Sequence, residues 1–148
     1  MILIGLNIEI ELELKNLKNN KMKKGILILG KSFSGKSRLA NSIIGNRKHI
    51  ILNGRADLRG NRFIYSDCNK DTEVIFIDDL DLTKNNLDSF INAISEGVEV
   101  DKKHERSFKI NAQIIISICI KSSELPNIHS LARRFEIFQL KNLFKYKI

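Results

Sequence analysis

Short, mostly apolar runs recur along the chain, with polar or amphipathic stretches between them. "GILIL" (Gly25 to Leu29), "EVIFI" (Glu73 to Ile77) and "QIIISICI" (Gln113 to Ile120) have the look of strands buried on both faces of a parallel sheet. Residues 7 to 14 alternate instead, with Ile8, Ile10, Leu12 and Leu14 on one side, which is the period of a half-buried strand. "HIIL" (His49 to Leu52) and "RFIYS" around Ile64 read as short strands separated by the turn-rich "NGRADLRGN", and "FEIFQL" (Phe135 to Leu140) as a last alternating strand. Helices are expected after "GILIL", ending near Gly45, and over "IHSLAR". Leu87, Phe90, Ile91 and Ile94 fall at i, i+3, i+4 and i+7 and mark another, with Thr83 or an asparagine as its cap. "GVEVDKKHERSFKI" (Gly97 to Ile110) has two short alternating arms around a charged centre and predicts a hairpin. Strands alternating with helices predict an α/β fold, a mainly parallel sheet flanked by helices with an inserted β-hairpin.

A length of 148 residues suits one domain with one core. We divide it into an N-terminal strand and basic connector, 1–23, and the main domain, 24–148. The composition, 43% hydrophobic and 28% charged, is that of a soluble globular protein. No apolar run approaches the length of a membrane span, and Glu9, Glu11 and Glu13 interrupt the stretch where a signal peptide needs an apolar core. The expectation is a cytoplasmic protein, or a viral one in its host cell, with no membrane partner. Cys68 and Cys119 lack the spacing of a zinc site or a disulfide framework. A net charge of +8 points to an anionic partner, most simply nucleic acid. An AT-rich genome also yields lysine, asparagine and isoleucine in excess, and "KNLKNNKMKK" (Lys15 to Lys24) also reads as a solvated connector.

Candidate chemistry begins at "GKSFSGKS", comprising Gly30, Lys31, Ser32, Phe33, Ser34, Gly35, Lys36 and Ser37. An apolar strand precedes it and a helix-compatible segment follows, the context of a phosphate-binding P-loop. Successive backbone N–H groups at a helix N-terminus attract phosphate, Gly30 and Gly35 permit the turn, Lys36 reaches the outer phosphates, and the Ser37 hydroxyl is placed for Mg²⁺. The "VIFIDD" run resembles the acidic strand that accompanies a P-loop. In that role Asp78 holds Mg²⁺ through its water shell and Asp79 polarises an attacking water. Two adjacent carboxylates could instead open the next helix as caps. The pair of motifs implies binding of ATP with Mg²⁺.

The order of later segments, "AISEGVEVDKKHERSFKINAQIIISICI" (Ala93 to Ile120) and then "IHSLARRFEIFQL" (Ile128 to Leu140), resembles superfamily 3 helicases within the AAA+ group, closest to papillomavirus-type replicative helicase cores. The resemblance covers about Lys24 to Leu140. It implies that the hairpin tip, "DKKH", lies in the channel of a homo-oligomeric ring and grips single-stranded nucleic acid, DNA in that family, through Lys103 and His104, with Lys102 nearby. Arg106 adds a donor beside them, as expected for salt-dependent, sequence-independent phosphate contacts. An exposed charged turn is the plainer reading of the same residues. By the same resemblance Arg134, with Arg133 adjacent, matches the arginine finger that completes a neighbouring subunit's site. Either could otherwise be a surface cation at a helix end.

One departure concerns hydrolysis. The family's sensor strand ends in an asparagine that orients water, whereas "IIISICIKSS" offers Ser117, Cys119 or Ser122. Cysteine is a weak donor, so hydrolysis is expected to be slow or lost while nucleotide binding survives. The other departure is size: within these 148 residues the pattern leads us to expect no origin-binding or nicking domain and no helical oligomerisation collar before Lys24. The expected function is an ATP-binding AAA+ ATPase coupling hydrolysis to DNA binding or unwinding in replication of a virus or mobile element. Helicase-loader or transposition-type ATPases, a non-hydrolysing nucleotide-dependent DNA-binding module, and a small-molecule P-loop kinase are the alternatives.

Overall fold

The computed structural model describes residues 2–4 and 24–140. Eight strands and three short α-helices follow one another as β1 (Ile2–Ile4), β2 (Gly25–Leu29), α1 (Lys36–Ile44), β3 (His49–Asn53), β4 (Val74–Asp78), α2 (Ile91–Glu96), β5 (Val98–Val100), β6 (Phe108–Ile110), β7 (Gln113–Ile118), α3 (Ile128–Leu131) and β8 (Phe135–Leu140). Six of the strands form one sheet in the order β1-β8-β2-β7-β4-β3, every described pair parallel. β5 and β6 pair antiparallel as a separate hairpin. The expected α/β class with a parallel sheet and an inserted hairpin is the architecture found.

The apolar runs explain why the central strands lie where they do. In β2, β4 and β7 successive side chains point to opposite faces, so a run apolar at every position needs cover on both. Ile26, Ile28, Val74, Phe76 and Ile115 pack under α1 through its Leu39, Ala40, Ile43 and Ile44. Leu27, Leu29, Ile75, Ile77, Ile114 and Ile116 face the other core, closed by Tyr65, Cys68, Leu87, Phe90, Leu125 and Leu131. β3, at the sheet edge, keeps only Ile50 and Leu52 against that second core and leaves Ile51 exposed.

Several boundaries differ from the sequence pattern. The expected "RFIYS" strand is a run of turns: Ser66 N–H donates to Phe63 O (3.0 Å) and Cys68 N–H to Tyr65 O (2.9 Å). Gly60 at φ 68° and the Asn61 carboxamide, which accepts from Phe63 N–H, start those turns, so Tyr65 and Cys68 reach the core from a coil instead of from a sheet. β7 stops at Ile118, two residues short of the apolar run. The amphipathic helix begins as a 3₁₀ turn, Leu87–Phe90, capped by Asn86, whose side chain accepts from Asp88 N–H. The alternating stretch 7–14 lies outside the described residues, while Ile2–Ile4 adds a strand beside β8 that the pattern did not single out.

Parallel strands put all their carboxyl ends on one side. From β2 the chain passes to the far edge and works back through β4 and β7, and then crosses to β8 on the other flank of β2. The crevice at the carboxyl end of β2 therefore lies at the point where the strand order reverses, the place such sheets offer to a ligand.

Candidate functional site

The eight residues from Gly30 to Ser37 occupy that crevice. Gly30 is buried: a side chain there would meet the Ser34 hydroxyl and, at 3.2 Å, Leu140 Cβ. Gly35 takes φ 98°, which a β-carbon resists, and turns the chain into α1. No side chain caps α1, and its first turn holds no acidic residue. Its leading N–H groups thus have no intrahelical acceptor and face the crevice with the positive end of the helix dipole. The Ser34 hydroxyl is buried without a partner, and Lys36 Nζ donates to the loop's own Lys31 carbonyl at 2.8 Å. Donors without a strong acceptor, in a loop too tight for a β-carbon, suit a phosphate chain. Phe33 stands 90% exposed at φ 63°, a left-handed conformation unusual for an aromatic residue.

Ser37 and Asp78 meet across the crevice, with Ser37 Oγ donating to Asp78 Oδ1 at 3.4 Å. Asp78 is held in place by its neighbours. Its carboxylate accepts from Ser117 Oγ (3.1 Å), and its carbonyl accepts from Gly54 N–H (2.8 Å). Ser117, fully buried on β7, also accepts from Asp79 N–H at 2.8 Å, so one hydroxyl positions both acidic residues. Asp79 has φ 57° and turns its carboxylate to Arg55, whose Nε lies 2.6 Å from Oδ2. The two carboxylates therefore differ in character: Asp78 is surrounded by hydroxyls, Asp79 by a guanidinium. Neither caps a helix. Asp81 accepts from Thr83 in the turn that follows, and Asn86 caps the 3₁₀ turn after it. Among the described residues no group of three His, Cys, Asp or Glu side chains could hold a metal. A hydroxyl and one carboxylate are what Mg²⁺ requires when most of its ligands are water and phosphate.

Of the three sensor candidates, Ser117 points into the core and Cys119 points at the P-loop, its Sγ 3.3 Å from Ser32 Oγ. Ser122 lies beyond the strand in a 3₁₀ turn, Ser122–Glu124. Arg55 was not among the residues the sequence singled out. It sits inside "NGRADLRGN", which reads only as a turn, and nothing in its spacing ties it to Asp79.

The other expected site residues lie elsewhere. Arg134 is at the amino end of the sheet, where its carbonyl accepts from Gly25 N–H (2.9 Å). The five residues of β2, about 16 Å of extended chain, separate it from its own P-loop. The side chains of Arg133 and Arg134 are exposed and make no hydrogen bond or ion pair among the described residues. The hairpin is rooted by Val98, Val100 and Ile110 in the core, and Asp101 at its shoulder pairs with Arg62 at 3.7 Å. Beyond that, Lys103, His104 and Arg106 are exposed, with His104 at φ 63° in the tip turn, and Lys102 is half-buried.

No protein-family model and no curated protein matches the sequence. Solved structures do resemble the fold. NtrX from Brucella abortus in complex with ATP superposes with a TM-score of 0.58 at 13% identity, over 95% of this chain and 37% of that one. The same protein in complex with ADP gives 0.57 at 14% identity, over 94% and 37%. The chain thus spans little more than a third of the solved chains it matches. At this identity the likeness is one of fold alone, a parallel α/β sheet flanked by helices. No helix among the described residues is long and apolar enough to cross a membrane.

Proposed function

We propose that this chain binds ATP with Mg²⁺ and, as an AAA+ ATPase of the superfamily 3 helicase type, couples hydrolysis to engagement of single-stranded DNA during replication of a virus or mobile element. The observation that carries the proposal is the convergence of the Ser37 hydroxyl and the Asp78 carboxylate beneath the uncapped N-terminus of α1, next to Lys36. Ser37 and Asp78 would hold Mg²⁺, which would supply neutralisation of phosphate charge. Backbone N–H groups of the loop cradle the phosphate chain, Lys36 exchanges its bond to Lys31 O for phosphate oxygen, and Ser117 keeps Asp78 aimed at the cation. Asp79 accepts the proton of the attacking water once its carboxylate is free of Arg55.

Arg134 serves a neighbouring copy in a homo-oligomeric ring, since its own loop lies at the other end of the sheet. Lys102, Lys103, His104 and Arg106 present phosphate-binding donors at the tip, where Asp101 is paired with Arg62 and Glu105 is the other acidic neighbour.

A second reading has a specific observation behind it. With Cys119 where a water-orienting amide would be useful, and Asp79 occupied by Arg55, the domain is also suited to a non-hydrolysing, nucleotide-dependent DNA-binding module. ATP turnover with and without single-stranded DNA separates the two. Stimulated turnover supports the motor, and binding without turnover supports the module. Mixing Arg134→Ala with Lys36→Ala tests the ring, because only mixed assemblies contain interfaces joining an intact loop to an intact finger. Strictly additive activity in confirmed mixed assemblies would remove Arg134 from the site.

A further inference from the structure

We infer that Arg55 is a ligand of the terminal phosphate of the bound nucleotide, held by Asp79 while that phosphate is absent. The inference rests on the proposed nucleotide site and adds to it a residue that neither the P-loop nor the acidic strand contains. Its backbone is firmly placed. Gly54 N–H donates to Asp78 O at 2.8 Å, and Gly54 O accepts from Asp81 N–H at 2.9 Å. Asn85, buried behind the loop, donates to both Gly54 O (3.2 Å) and Ala56 O (2.8 Å). Gly54 lies so close to Leu80 that a β-carbon would come within 2.6 Å of its backbone. The loop after β3 is thereby pinned to the end of β4, one residue on either side of Arg55.

The side chain, by contrast, is free to move. It is 77% exposed, and among the described residues only its Nε has a partner, Asp79 Oδ2 at 2.6 Å, so both terminal nitrogens are available. The Asp79 that it meets follows Asp78 at the carboxyl end of β4, and Ser117 Oγ bonds both acidic residues while Ser37 Oγ meets Asp78, so the guanidinium is one residue removed from the carboxylate that faces the P-loop serine. Asp79 takes a left-handed backbone conformation to meet it. An arginine whose two terminal nitrogens are unpaired among the described residues, beside the acidic pair of a crevice suited to phosphate, can make bidentate contact with phosphate oxygens. Asp79 and the terminal phosphate then compete for the same cation, and binding of a triphosphate releases the carboxylate that the chemistry needs.

The competition has a measurable signature. Calorimetric titration with Mg²⁺ and either β,γ-imido ATP or ADP is run on the wild type, Arg55→Ala, Asp79→Asn and the double variant. Arg55→Ala should lower affinity for the triphosphate analogue by about tenfold or more and change ADP affinity by less than about twofold. Asp79→Asn should raise analogue affinity, and the gain should vanish in the double variant, because it requires the arginine. Arg55→Lys, which keeps the charge but not the fork, should fall between. An unchanged ratio of analogue to ADP affinity in Arg55→Ala overturns the inference and leaves the nucleotide site standing. So does an Asp79→Asn gain that persists in the double variant, which assigns it to removed negative charge alone. Failure of the wild type to bind either nucleotide overturns the site itself, and the inference with it.

Discussion

The carboxyl end of the sheet and the tip of the hairpin both carry basic side chains, yet they are organised in opposite ways. Around the crevice most polar side chains, the Ser34 hydroxyl excepted, have an intramolecular partner: Lys36 with Lys31 O, Ser37 and Ser117 with Asp78, Asp79 with Arg55, Ser32 with Cys119. At the tip, Lys103, His104 and Arg106 have none among the described residues, and the turn is held by its backbone and by the apolar residues at the base. A network of this kind transmits a substitution to its neighbours, whereas a bare tip confines it. Changes at the crevice should therefore alter stability or positioning along with binding, and changes at the tip should alter partner affinity alone.

The sharpest way to break that contrast is at Lys36. Lys36→Ala should reduce nucleotide affinity by about 100-fold, since it removes a charged donor to the outer phosphates. Titration with a fluorescent nucleotide measures this, and unchanged affinity would dissolve the phosphate site. Ser117→Ala is the next largest, and it tests the network. It leaves the Asp79 N–H buried beside a methyl group and Asp78 without one of its two hydroxyl donors. Loss of a buried partner costs about 1–3 kcal/mol, visible as a lower midpoint with unchanged slope in urea unfolding. Mg²⁺-dependent nucleotide binding should weaken with it, and a loss of stability without that weakening would make Ser117 merely structural.

For the tip, Lys103→Ala and His104→Ala should weaken single-stranded DNA binding, the lysine change flattening the salt dependence by about one phosphate contact. Unfolding free energies should shift by no more than about 0.5 kcal/mol, as for exposed positions generally. A large stability change would mean that the tip is part of the packing after all. Fluorescence anisotropy across a salt series reads the first quantity and urea melts the second. The smallest effect concerns Phe33, whose exposed ring at φ 63° contributes no packing to offset its strained backbone. Phe33→Asn should stabilise the fold by about 0.5–1 kcal/mol, because asparagine tolerates the left-handed region. A destabilised variant in thermal melts would show that the ring has a contact in solution.

Periodicity and local chemistry were enough for much of the molecule. Runs apolar at every position require cover on both faces, so β2, β4 and β7 could be read as central strands of a parallel sheet. The glycines and lysine of the P-loop act within eight consecutive residues, which is why that loop was legible, and the hairpin was legible because its arms are neighbours in the chain. Aromatic and β-branched content misled at "RFIYS", where the hydrogen bond that the Asn61 side chain accepts from Phe63 N–H and the freedom of Gly60 favour turns over a strand. Tertiary structure alone decided what depends on distant segments. It set the order of the strands and brought Asp78 to Ser37 across two intervening interstrand spacings. It also turned Ser117 inward and Cys119 toward the P-loop, placed Arg134 at the far end of the sheet, and delivered Arg55 to Asp79 from a turn 24 residues upstream. The physical reason is range: backbone preferences and hydrophobic period act over a few residues, while pairing between charged side chains is indifferent to how far apart they lie in the chain.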